Sequence, residues 1–103
     1  MSQDEKIREM QILEHNIQNI AMQRQSFEAE LSETQSALRE IEKTKDDVFK
    51  IIGQVMLKTD KEKIKGELQE KTKILEMRAD SMNKQEELLS KKLDKLREEV
   101  FKK

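Results

Sequence analysis

The chain has 103 residues, of which 42% are charged and only 3% aromatic, with no proline, cysteine, tryptophan or tyrosine and a net charge of −1. So little apolar material argues against an ordinary globule, and the near-zero net charge argues against both an electrostatically expanded disordered chain and a nucleic-acid binder with a basic stripe. The absence of cysteine excludes disulfide and thiol chemistry and fits a reducing compartment, so the expected location is cytoplasmic. The polar start Met1-Ser2-Gln3-Asp4-Glu5-Lys6 lacks an apolar signal region, and no apolar run of about 18 residues is present, so no membrane association is expected.

The first element is a helix expected over residues 2–45. Ser2-Gln3-Asp4-Glu5 has the S-x-x-E form of a capping box, in which side chains satisfy free amides of the first turn. Beyond it, Met10, Leu13, Ile17, Ile20, Phe27, Leu31, Leu38 and Ile41 alternate in steps of three and four, with Arg24 and Thr34 filling the two remaining places. This is a heptad seam, carried by a helix about 65 Å long at roughly 1.5 Å per residue.

The second element is a short apolar segment, residues 48–58. Val48, Phe49, Ile51 and Ile52 precede Gly53, and Val55, Met56 and Leu57 follow it. β-branched density around one central glycine predicts a β-hairpin. An isolated two-stranded hairpin is marginal in water, and these residues exceed what one hairpin and two helix ends can cover. Both edges are also open to further pairing. Residues 48, 49, 51–53 and 55–57 are therefore expected to mediate oligomerisation.

The third element is a helix expected over residues 60–103. Thr59-Asp60-Lys61-Glu62 reads as a second capping box. Leu68, Leu75, Met82, Leu89 and Leu96 recur every seven residues, interleaved with Thr72, Ala79, Glu86, Leu93 and Val100.

The two seams match when paired so that residue numbers sum to 106. Leu38 then faces Leu68, Leu31 faces Leu75, Ile17 faces Leu89, Leu13 faces Leu93 and Met10 faces Leu96. Large Phe27 meets small Ala79, and Thr34 shares a layer with Thr72, the complementarity a close-packed interface needs. Arg24 and Glu86 fall in adjacent layers with opposite sign, and either help fix register or carry their charged ends out to water. Half of 106 is 53, so the chain doubles over at Gly53. The expected fold is mainly α: a single domain spanning residues 1–103, a long antiparallel two-helix coiled coil joined by a short β-hairpin.

At these residues the sequence resembles the beta-subunit family of prefoldin. The sharpest similarity lies in Val48-Phe49-Lys50-Ile51-Ile52-Gly53-Gln54-Val55-Met56-Leu57-Lys58. Glu33-Thr34-Gln35-Ser36-Ala37-Leu38, Glu67-Leu68-Gln69-Glu70-Lys71 and Lys84-Gln85-Glu86-Glu87 agree as well. Where the family usually carries Tyr and Asn, this chain has Phe49 and Gln54. The resemblance implies a hexamer of two alpha-type and four beta-type subunits, with hairpins assembled into a β platform from which coiled coils hang. It implies an ATP-independent chaperone that binds non-native polypeptides at the coiled-coil tips and passes them to a group II chaperonin.

In this register Ile7, Met10, Leu96, Val100 and Phe101 gather at the end farthest from Gly53 and are the expected client-binding tip, although Leu96 and Val100 also serve to finish the seam, which Phe101 does not. Lys91, Lys92, Lys95, Arg97, Lys102 and Lys103 make the same end locally basic, diluted by Asp94, Glu98 and Glu99. A structural tether without chaperone activity is the alternative reading of the same helices. No catalytic, metal-binding or cofactor-binding residue is expected: His15 is the only histidine, and neither glycine belongs to a phosphate-binding pattern. Gly66, early in the second helix, should cost about 1 kcal/mol against alanine.

Overall fold

The computed structural model describes residues 2–102; Met1 and Lys103, the outer bounds of the expected domain, lie outside the described residues. The element order is α1 (Gln3–Lys43), β1 (Val48–Ile52), β2 (Val55–Thr59) and α2 (Lys61–Phe101). The two helices are of equal length, 41 residues each.

Each boundary has a local cause. Ser2 is the N-cap of α1: its Oγ accepts the Glu5 amide at 3.2 Å, and its carbonyl accepts the Lys6 amide at 3.1 Å. At the other end α1 stops at Lys43, two residues before the expected Lys45. The Thr44 hydroxyl accepts the Asp46 amide at 3.3 Å, a local turn that competes with another helical residue. The Thr44 carbonyl, left without a helical donor, accepts Lys61 Nζ at 2.9 Å. The start of α2 is shifted by one residue from the capping box read in the sequence. Thr59 is retained by β2 through its pairing with Val48, so Asp60 takes the cap position and its carbonyl receives the Ile64 amide at 3.1 Å.

The strands form an antiparallel pair in the register Val48↔Thr59, Phe49↔Lys58, Lys50↔Leu57, Ile51↔Met56 and Ile52↔Val55. Gly53 and Gln54 make the two-residue loop. Gly53 has φ +59°, and no non-glycine residue has positive φ among the described residues. A positive φ at the first central position only defines a type II′ turn, which needs glycine there and tolerates Gln54 at the second.

The helices pack within two compact units. In the unit formed, among the described residues, by 2–27 and 78–102, Met10, Leu13 and Leu93 are buried, with Ile17, Leu89, Leu96 and Val100 packed against them. In the unit formed by residues 28–77, the buried side chains are Thr34, Ile64 and Leu75. Thr34 is tolerated there because its hydroxyl donates to the Glu30 carbonyl at 2.8 Å, and Thr72 does the same to Leu68 at 2.8 Å. Every seam position named above is buried or half-buried, whereas most flanking helical positions are exposed. No helix among the described residues is long and apolar enough to cross a membrane.

Candidate functional site

Two surfaces carry the sequence-derived candidates. The first is the end of the coiled coil built from the first turns of α1 and the last turns of α2. The ends are held together by polar contacts: Gln3 Nε2 donates to the Val100 carbonyl at 2.9 Å, Lys6 Nζ lies 3.7 Å from Glu99 Oε2, and Arg97 reaches Glu14 at 3.2 Å. Inside this frame the five apolar candidates divide. Met10 is buried against Leu13 and Leu93, and Leu96 and Val100 pack on the same cluster. Ile7 is exposed, and Phe101 is 75% exposed, with Glu98 and Lys102 beside it lining a shallow groove. The structure thus packs three of the five candidates into the coiled coil and presents two to solvent. Of the basic residues, Arg97 is paired with Glu14 and Asp94; Lys91, Lys92, Lys95 and Lys102 are exposed, and Lys103 lies outside the described residues.

The second surface is the hairpin. Directly paired residues of an antiparallel ribbon share a face, so Phe49, Ile51 and Met56 lie on one side and Val48, Ile52, Val55 and Leu57 on the other. All but Val48 are exposed, on both faces. Lys50 Nζ contacts Glu67 of α2 at 3.2 Å, and Lys58 Nζ contacts Asp47 at 3.5 Å. An apolar ribbon uncovered on both faces and both edges departs from how solitary sheets protect themselves.

Arg24 and Glu86 meet across the coiled coil at 2.7 Å between Nε and Oε2. Next to them Arg78 stacks over the Phe27 ring at 5.9 Å from its centroid, so the largest ring of the seam carries a cation beside the small Ala79. His15 sits on the exposed face with Asn19 Nδ2 at 3.3 Å from its Nε2. No group of three or more His, Cys, Asp or Glu side chains suited to a metal ion occurs among the described residues.

Sequence reasoning missed several exposed apolar side chains off the seam, including Ile12, Met22, Met77 and Leu88. A search for apolar residues outside the a and d places would have found them. It also missed buried Ile64, the one apolar residue between the hairpin and Leu68.

Two long helices joined by a short antiparallel β-ribbon define the chain as a coiled-coil hairpin protein with an apolar bridging ribbon. A family model described as prefoldin subunit matches residues 4–103. The prefoldin subunit beta of Pyrococcus furiosus is 35% identical over 94 residues, covering 89% of this chain and 80% of that protein. That of Pyrobaculum neutrophilum is 36% identical over 88 residues, covering 84% and 70%. The crystal structure of the prefoldin beta subunit from Thermococcus strain KS-1 superimposes with a TM-score of 0.89 at 31% identity, covering 95% of this chain and 88% of that one. The chain belongs to the prefoldin subunit family.

Proposed function

We propose that the chain is a beta-type subunit of an ATP-independent chaperone that holds non-native polypeptides and delivers them to a group II chaperonin. The observation that carries this reading is Phe101, a large apolar side chain 75% exposed on the last turn of α2, on the same end of the coiled coil as exposed Ile7 on the first turns of α1. Unfolded chains expose apolar surface, and two exposed apolar side chains at the end where Met10, Leu96 and Val100 pack offer it a complement. Methionine suits the task, because its flexible thioether adapts to many shapes. A single such patch binds weakly, so useful affinity requires several acting on one client.

The hairpin supplies that multiplicity. Its exposed apolar residues are the subunit-joining surface, and the expected assembly contains two alpha-type and four beta-type subunits in the cytoplasm. Arg24 and Glu86 serve to hold the helices in register. The reading calls for no catalysis and no cofactor.

The test dilutes a chemically denatured client into buffer containing the chain assembled with an alpha-type subunit, without nucleotide, and follows light scattering. The assembly should suppress aggregation, and the double substitution Ile7→Ser with Phe101→Ser should lose most of the suppression while keeping its helicity and mass. Full suppression by that variant would place client binding elsewhere.

A further inference from the structure

The two edges of the hairpin are not equivalent toward a second copy of this chain. The difference follows from strand register and rests on the reading that the hairpin joins subunits. Ile52 and Val55 close the two-residue loop, and the pair that closes such a loop exchanges hydrogen bonds with itself. Bonded and non-bonded pairs alternate along an antiparallel ladder. Lys50↔Leu57 and Val48↔Thr59 are therefore bonded inward, and the backbone groups of Phe49 and Ile51 on β1, and of Met56 and Lys58 on β2, point outward.

Those outward groups dictate how a second copy docks under two-fold symmetry. On the β1 edge, full-length antiparallel pairing sets Phe49 against Ile51 of the copy, which centres the ladder on Lys50 opposite Lys50. On the β2 edge it sets Met56 against Lys58, which centres the ladder on Leu57 opposite Leu57. Both central pairs are of the non-bonded kind, where side chains approach most closely. Like charges directly opposite one another are unfavourable, and an apolar pair there is favourable. Sliding β1 by one step in either direction to separate the lysines leaves only three residues of each strand overlapped, as the register Val48–Ile52 requires. Nor does the bond from Lys50 to Glu67 relieve the clash: both side chains are more than two-fifths exposed, and their hydration would be displaced. On β2 the one charge brought into the new ladder, Lys58, stands opposite Met56 of the copy, so no like charges face each other.

We propose that β2 is the edge by which two copies of this chain pair, with Leu57 facing Leu57 across the two-fold axis. Lys50 guards the β1 edge against the same event.

The chain has no cysteine, so engineered thiols report the geometry without background. In the full-length chain, Leu57→Cys places two thiols about 4.5 Å apart at Cα across the β2 edges, within disulfide range. An equimolar mixture of Phe49→Cys and Ile51→Cys chains places thiols about 5.5 Å apart across the β1 edges with Lys50 intact. Under mild oxidation Leu57→Cys should yield a covalent dimer in about fivefold excess over the mixture. As an independent check, Leu57→Lys should lower the mass of the chain in native mass spectrometry, and Lys50→Leu should not. Cross-linking through the β1 mixture while Leu57→Cys stays reduced overturns the edge assignment alone. A monomeric chain, or cross-linking at neither edge, overturns this proposal, whereas failure of the chain to assemble with an alpha-type subunit overturns the hairpin as the joining element.

Discussion

Arg24 and Glu86 form a half-buried ion pair across the coiled coil, 2.7 Å between Nε and Oε2, with side chains 22% and 23% exposed. They occupy seam places that otherwise hold Leu, Ile, Met, Phe, Ala, Val and Thr. An apolar pair of similar volume would pack at least as well, so what the ion pair adds is a penalty on slipped registers, in which one charge meets an apolar layer alone.

A double-mutant cycle with Arg24→Met and Glu86→Leu checks this. The coupling should be about 1 kcal/mol at low salt and fall as salt is raised to about 1 M, because partial exposure leaves the pair open to screening. The double variant should keep its thermal stability yet show a broader spread of interhelical distances by spin labelling. An unchanged distance distribution would leave the pair without a register role.

The seam threonines predict the opposite kind of result. The hydroxyls of Thr34 and Thr72 bond to carbonyls of their own helices, Glu30 and Leu68, and not across the interface. Thr34→Val removes a donor whose acceptor keeps its helical partner, so no buried group is orphaned. Chemical denaturation should show the variant unchanged or stabilised by up to about 1 kcal/mol.

The two glycines form a matched pair. An added Cβ meets nothing within 4 Å at Gly53 or at Gly66, so packing does not distinguish them. Backbone conformation does, since only Gly53 has positive φ, at 59°. Gly66→Ala should stabilise the chain by about 1 kcal/mol, and Gly53→Ala should destabilise it by about 1–2 kcal/mol, both read from thermal melts. Nothing in the structure explains why Gly66 is glycine.

The helical seams were legible because period is a collective signal: all ten places in each helix had to agree, and the polar exceptions could be read against that frame. The fold point was legible because one number aligned both seams about Gly53. What escaped depends on local competition between hydrogen bonds. Thr59 could cap α2 or pair with Val48, and only the completed ribbon decides for the strand. Ile64 escaped because the heptad extended back from Leu68 and Thr72 falls on Lys61 and Lys65, so the burial of Ile64 marks a shift of the seam near the ribbon. At the far end, periodicity already divided the group: Met10, Leu96 and Val100 hold seam places and pack, whereas Ile7 and Phe101 lie off the seam and are exposed.

Client capture at the Phe101 end is tested most directly by site-specific photo-cross-linking. Met77 is the natural comparison, because it is apolar and 72% exposed against 75% for Phe101, yet lies elsewhere on α2. A photoreactive side chain is placed at one position or the other, and the assembled protein is illuminated with a denatured client in the absence of nucleotide. The account predicts adducts at position 101 and few at position 77. Equal yields at both would mean that exposure alone governs capture, and would contradict a dedicated grip at the coiled-coil end.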